Sequence, residues 1–170
     1  MARTEIILTV DALDPQSARG KLCVVIDVLR ASTTIVAALA AGCPEIIPVE
    51  TPEEARRLAR TKGLLLGGER NSLRPEGFDF GNSPLEYTPE KIKGRPIAFT
   101  TTNGTRAMRA CRFSDKLVVA CFLNASAITR LLKRHGGDTL IVCAGTRGEP
   151  SIEDTVCGGM LVEALGAGGG

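Results

Sequence analysis

Short apolar runs alternate with helix-period segments along almost the whole chain, and this alternation limits the fold more than any other feature. Glu5–Val10 and Leu22–Val28 read as strands; the second is apolar on both faces, as in a buried parallel sheet. Ser32–Ala41 is alanine-rich and predicts a helix stopped by Gly42. Ile46–Val49 reads as a short strand. Thr51-Pro52-Glu53-Glu54 is a capping box with proline at the first helical position, opening a helix to about Lys62. Leu64–Leu66, Ile97–Thr100, Leu117–Cys121 and Leu140–Ala144 read as further strands. Asn103–Arg112, a segment capped by Asn124 and ending near His135, and Ile152–Leu165 read as helices. Repeated β-then-α units predict an α/β fold with a mostly parallel sheet. A length of 170 residues suits one domain over 1–170.

One stretch breaks the pattern. Gly67–Gly94 is polar, rich in Gly, Pro and Asn, and lacks a period. A loop this long inside a compact domain is usually functional or disordered, and Phe78, Phe80 and Tyr87 argue that this one is anchored. The segment 78–84 has two readings. It folds over a site as a lid, or carries Asp79 and Asn82 into it; or it is a plug held by its two phenylalanines.

Composition removes several classes. A net charge of +2 leaves no basic footprint for nucleic acid or an anionic membrane. One Tyr, five Phe and no Trp provide little for stacking bases. No run of 18 apolar residues reads as a membrane span, and Met1-Ala2-Arg3-Thr4-Glu5 does not open a signal peptide, so the expected location is cytoplasmic. None of the six cysteines forms a C-x-x-C pair, and Cys23, Cys121 and Cys143 read as small buried hydrophobes. The tail Gly166-Ala167-Gly168-Gly169-Gly170 packs almost nothing and reads as a truncated end.

In an open parallel sheet, ligands bind beyond the carboxyl ends of the strands. The residues just past four of the apolar runs are therefore informative. Asp27-Val28-Leu29-Arg30-Ala31-Ser32-Thr33 continues from the second strand, and Gly67-Gly68-Glu69-Arg70 from the strand at Leu64–Leu66. Thr101-Thr102-Asn103-Gly104-Thr105 comes after Thr100, and Gly145-Thr146-Arg147 after Ala144, with Glu153 and Asp154 a little further on. Carboxylates, arginines and small hydroxyl or glycine residues at helix starts suit an anionic ligand beside a hard cation. Each piece also has a plain structural reading. Asp27 caps a helix, the Thr100–Thr105 run is an N-cap with a turn, Glu153 and Asp154 answer a helix dipole, and the arginines are surface residues.

Familiar phosphate motifs are absent. There is no G-x-x-x-x-G-K-[ST]. No cysteine precedes an arginine at the cysteine-phosphatase spacing, and Asp27 does not begin a D-x-D. Arg134-His135-Gly136 spells the core of a histidine phosphatase, but it stands where a helix ends. The runs VVIDVLRASTT (24–34), GERN (68–71), GFDFGNSPLEY (77–87), TTTNGTRA (100–107) and CAGTRGEPSIEDTVCGG (143–159), in this order and spacing, resemble the 2-phosphosulfolactate phosphatase family.

That resemblance implies a three-layer α/β/α fold that is C-terminally incomplete in this chain. It implies a Mg²⁺-dependent phosphatase hydrolysing (2R)-2-phospho-3-sulfolactate to 3-sulfolactate and phosphate, towards coenzyme M, or acting on a related small phosphorylated hydroxy acid. The rival class is a non-catalytic anion-binding or assembly domain. A homodimer is carried as an expectation, with no nucleic acid and no membrane partner. In this reading Asp27, Glu69, Glu153 and Asp154 surround Mg²⁺, and Asp27, Glu153 and Asp154 are catalytic. Arg30, Ser32, Thr33, Arg70, Thr101, Thr102, Asn103, Gly104, Thr105 and Arg147 bind substrate. The nucleophile is either metal-activated water or Asp27 itself.

Overall fold

The computed structural model describes residues 2–166, and the glycine-rich tail at 167–170 lies outside the described residues. The α/β alternation holds almost element for element. In chain order the elements are β1 (Thr4–Ile7), β2 (Leu22–Ile26), α1 (Ala31–Ala40), β3 (Ile46–Pro48), α2 (Pro52–Lys62), β4 (Leu65–Gly68) and the short α3 (Pro89–Ile92). They continue with β5 (Ile97–Thr100), α4 (Gly104–Ala110), β6 (Lys116–Ala120), α5 (Ala125–His135), β7 (Thr139–Cys143) and α6 (Ile152–Gly166).

The strands pair in parallel throughout, but they divide into two sheets, of order β1-β7-β2-β6 and β3-β5-β4. Strand alternation assigns each face. In β2, Cys23 and Val25 face the core that lies between the sheets, whereas Leu22, Val24 and Ile26 face the layer built with α5 and α6. In β5, Ile97 and Phe99 face the same central core, and Ala98 packs outward with Ala55 of α2. Ile35 and Ala38 of α1 and Ala107 and Met108 of α4 fill that central core. The first sheet is thus covered by helices on both faces, as the three-layer expectation requires. All six cysteines are buried and free, so they act as small hydrophobes here.

Element boundaries differ where side chains capture backbone groups. The predicted strand 22–28 stops at Ile26 because the Asp27 N–H donates to Ser32 Oγ (3.0 Å) and the Val28 N–H to Asp154 Oδ1 (2.8 Å). Thr51 caps α2 by accepting from the Glu54 N–H, but the Glu54 carboxylate reaches back to the Glu50 N–H instead of closing a box on Thr51. Asn124 precedes α5 without capping it by its side chain. Its amide clamps the end of β6, accepting from the Cys121 N–H (2.9 Å) and donating to the Val119 carbonyl (3.0 Å). His135 ends α5, with Gly136 in the left-handed region at φ 66°, so the histidine-phosphatase spelling is a helix terminus.

The irregular segment after β4 is anchored. Phe80 and Tyr87 pack at a tilt of 41° with ring centroids 5.0 Å apart, and Tyr87 meets Phe99 edge-on. The Tyr87 hydroxyl donates to the Gly81 carbonyl (2.6 Å), the Gly81 N–H to the Glu86 carboxylate (2.9 Å), and the Leu66 N–H to Asp79 Oδ2 (2.8 Å). Phe78 and Phe80 are both buried, so the segment is a plug as well as a carrier of polar groups. Tyr87→Phe removes one buried hydrogen bond and keeps the ring contacts. It is expected to cost about 1 kcal/mol in urea denaturation.

Candidate active site

The strand ends predicted to be polar converge. A cavity of about 340 Å³ opens where loops following β2, β4, β5 and β7 meet, drawing on both sheets. Asp27, Leu29 and Arg30 come from the first of these loops, and Glu69, Asn71 and Ser72 from the second. Thr102 and Asn103 follow β5, Thr146 and Arg147 follow β7, and Asn82 enters from the anchored segment. Pairing explains the convergence. Ile26 stands opposite Cys143 and Gly68 opposite Thr100, so in each sheet neighbouring strands end level and release their loops together.

Asp27 is 8% exposed. Its Oδ1 accepts from the Ala31 N–H (3.1 Å), and its main chain is closed onto Ser32 by two further hydrogen bonds. Burial, followed by the nearby charge of Asp154, pushes its carboxyl up to about 7. Helix capping and a place in the cavity are therefore not alternatives for this residue. Gly104 explains how the start of α4 comes so close: a Cβ there would lie 2.4 Å from the Ala31 Cβ and 2.7 Å from Asp27 Oδ2. Gly104 thus serves by giving Asp27 room.

Glu69, also 8% exposed, accepts from the Thr102 N–H (2.7 Å), the Thr102 hydroxyl (3.1 Å) and the Ser72 N–H (2.6 Å). A turn expected to hold a phosphoryl group thus spends two Thr102 donors on a protein carboxylate. Thr101 and Thr105 are buried and bond each other: each hydroxyl accepts from the other's N–H, and the Thr105 hydroxyl also donates to the Thr101 carbonyl. They do not line the main cavity, and Thr102 and Asn103 do.

Other expected residues also fall outside it. The Ser32 hydroxyl serves the Asp27 N–H, and the Thr33 hydroxyl donates to the Val28 carbonyl (2.7 Å), so both fix the loop rather than face a ligand. Arg70 turns away to the Glu69 carbonyl (3.0 Å), the Thr100 hydroxyl (2.6 Å) and the Glu50 carbonyl. It lines a separate depression with Thr101, Thr105 and Arg106.

Of the four carboxylates expected around a metal, two line the cavity. Asp154 is buried behind the wall, where Oδ1 accepts from the Val28 N–H (2.8 Å) and Oδ2 from the Gly145 N–H (3.2 Å). Burial raises its carboxyl as well. Glu153 is not among the lining residues. Among the described residues, no group of three or more Asp, Glu, His or Cys side chains is arranged to hold a metal ion. Asp154 instead joins the β2 and β7 loops, which carry Arg30 and Arg147. Asp154→Ala strands two buried N–H groups and is expected to cost about 2 kcal/mol. Amide exchange at Val28 and Gly145 checks the cause: those two positions should lose protection before the rest of their strands.

Arg147 sits at φ 56° in a turn flanked by Gly145 and Gly148, closed by the Thr146 N–H to Glu149 carbonyl bond (2.8 Å) and its reciprocal (3.1 Å). Asn82 lines the cavity, as one reading of its segment expected, whereas Asp79 is held by the Leu66 N–H and does not; Asn71 and Ser72, also at positive φ, are cavity residues beyond the predicted set. The GERN run marks the neighbourhood of Asn71 and Ser72, but no spacing rule singles those two out. The Asn82 amide oxygen is buried without a hydrogen-bond partner among the described residues.

Fold and site together define an α/β protein with a cavity at the carboxyl ends of parallel strands, lined by two carboxylates and two arginines. The sequence model describing 2-phosphosulpholactate phosphatase matches residues 7–169, and the chain belongs to that family. It is 52% identical over 149 residues to a probable 2-phosphosulfolactate phosphatase of Symbiobacterium thermophilum, covering 86% of this chain and 64% of that protein. It is 46% identical over 160 residues to one of Caldanaerobacter subterraneus subsp. tengcongensis, covering 92% and 66%. A Clostridium botulinum protein of the same name is 40% identical over 167 residues, covering 96% and 70%. The chain therefore spans about two thirds of the length of these curated relatives. No helix among the described residues is long and apolar enough to cross a membrane.

Proposed function

We propose that the chain carries the active centre of a Mg²⁺-dependent phosphatase acting on 2-phospho-3-sulfolactate or a related small phosphorylated hydroxy acid. Coenzyme M formation in the cytoplasm is the setting the family resemblance gives this reaction. The observation that supports it best is one cavity holding Asp27 and Glu69 together with Arg30 and Arg147.

The donor set fits magnesium. That ion takes hard oxygen ligands, commonly one or two carboxylates with waters and phosphate oxygens. Asp27 resists ionisation because it is buried among other carboxylates, an imbalance that a cation offsets. Asp27 and Glu69 would hold the ion, which supplies positive charge against the phosphoryl oxygens when bound. Phosphoryl transfer depends on alignment and charge neutralisation more than on covalent help. Arg30 and Arg147 provide planar, permanently charged forks for phosphate and sulfonate oxygens. Ser32 and Thr33 lock the loop that carries Arg30, and Asp154 locks that loop to the one carrying Arg147. The attacking group in this reading is water, with Asp27 kept in place by the Ala31 N–H.

Phosphate release from phosphosulfolactate, phospholactate and p-nitrophenyl phosphate, with Mg²⁺ and with EDTA, tests the proposal. Release that needs the ion is the expected result. If phosphate binds but no ester is cleaved, by this chain or by a chain of the relatives' full length, the anion-binding class takes its place.

A further inference from the structure

Arg70 belongs to the GERN run just past β4, yet it does not line the cavity. Its half-buried guanidinium reaches sideways over the ends of the second sheet, whose order is β3-β5-β4. Nη1 donates to the Glu69 carbonyl (3.0 Å). Nη2 donates to the Thr100 hydroxyl at the end of β5 (2.6 Å) and to the Glu50 carbonyl beyond β3. All three acceptors are neutral oxygens. Glu50 is itself fixed, because its N–H donates to the Glu54 carboxylate (3.0 Å) and its carboxylate accepts from Arg109 Nε of α4 (2.8 Å). One side chain from β4 thus straps the ends of all three strands together.

What the strap holds is Glu69. The Glu69 N–H donates to the Thr100 carbonyl (2.9 Å) and its carbonyl accepts from Arg70, so its main chain is pinned on both sides. Arg70 also opens the turn that follows. Its N–H donates to the Leu73 carbonyl (2.9 Å) and its carbonyl accepts from the Leu73 N–H (3.0 Å), with Asn71 and Ser72 between them at φ 50° and 66°. Two central residues at positive φ are the pattern of a type I′ turn. That turn aims the Ser72 N–H at Glu69 Oε2 (2.6 Å), while Thr102 holds the carboxylate from the β5 side. Loss of the guanidinium frees the Glu69 carbonyl and loosens the first corner of this turn.

We infer that Arg70 is a positioning residue, which fixes Glu69 so that its carboxylate stands ready for a cation and which does not touch the anionic ligand. The inference rests on the phosphatase reading, in which Glu69 is one of two carboxylates facing Mg²⁺. It gives Arg70 a different task from the substrate contact expected from its place at a strand end. Partners that orient a metal-binding side chain matter nearly as much as the side chain itself. Arginine suits this task because its planar fork serves acceptors in several directions at once, which a lysine ammonium does not reproduce.

The test compares wild type, Arg70→Lys and Thr100→Val, the second of which removes one acceptor and keeps the side-chain shape. Calorimetry measures Mg²⁺ alone, then inorganic phosphate at saturating Mg²⁺; amide exchange and melting temperature are followed without metal. Arg70→Lys is expected to bind Mg²⁺ about 10- to 100-fold more weakly, and Thr100→Val to lose affinity by a smaller factor. The double variant should lose less than the product of the two, since both act through one contact. The Ser72 and Thr102 amides should exchange faster in Arg70→Lys, and phosphate affinity at saturating Mg²⁺ should hold. A lowered melting temperature with Mg²⁺ affinity intact would make Arg70 part of the scaffold only and overturn the inference. Lost phosphate affinity with Mg²⁺ affinity intact would make it a ligand contact and overturn it too. If Arg70→Lys does not fold, Thr100→Val decides alone, and wild-type Mg²⁺ affinity there overturns the inference. Wild type that binds no Mg²⁺ would overturn the metal-dependent reading itself, and this inference with it.

Discussion

Asp27→Asn is expected to stabilise the fold above neutral pH while lowering phosphatase turnover about 10²–10³-fold, the usual effect of losing one charge-stabilising group. The Asp27 carboxyl titrates at about 7 in the folded chain and in the ordinary range near 4 when unfolded. Between those values the folded state binds the extra proton. Stability is therefore full below the unfolded value and falls as pH rises through about 7. The ionised form costs the fold on the order of 4 kcal/mol. Asn keeps the oxygen that accepts from the Ala31 N–H and has no charge to bury. Urea denaturation in metal-free buffer should show wild type weakening between pH 5 and pH 8.5 and the variant staying level. A variant that weakens in parallel with wild type would show that this carboxyl is not the source. Turnover unchanged in the variant would remove Asp27 from the chemistry.

Gly68→Ala is expected to cost about 4 kcal/mol, enough to prevent folding in a marginal background. Gly68 has φ 129°, and a Cβ there would lie 1.9 Å from the Thr100 carbonyl oxygen. That carbonyl belongs to the partner strand and accepts from the Glu69 N–H (2.9 Å), so relief of the clash moves β4 off β5 and Glu69 off the cavity. Gly63 is the internal control. It is also left-handed, at φ 68°, but has nothing within 4 Å of the added carbon, so Gly63→Ala should cost about 1 kcal/mol. Denaturation of both variants separates conformational strain from collision. Equal losses would rule out the collision.

The strand-and-helix alternation was legible because each apolar run carries its own period, independent of what it pairs with. Which strands share a sheet was not, since β2 and β5 show the same pattern of buried residues in different ladders. The same limit divided the site. Asp27, Glu69, Arg30, Arg147, Thr102 and Asn103 could be read from their places at strand ends, because loops from level strands gather there. Arg70 could not. It follows a strand end as Glu69 does, but its guanidinium finds the Thr100 hydroxyl and backbone carbonyls beside it and turns away. Asp154 looked like a ligand by composition, and became a clamp because two buried N–H groups reach it first. Short polar side chains declare their chemistry in a sequence, and neighbouring backbone decides how much of it is left over.

The two β-ladders share no hydrogen-bonded strand, yet both contribute walls to one cavity. An occupant touching Asp27 on one side and Glu69 on the other therefore adds a second tie between sheets already joined through the central core. Filling the cavity should raise the stability of the whole block, since a ligand bound only by the folded state stabilises it by mass action.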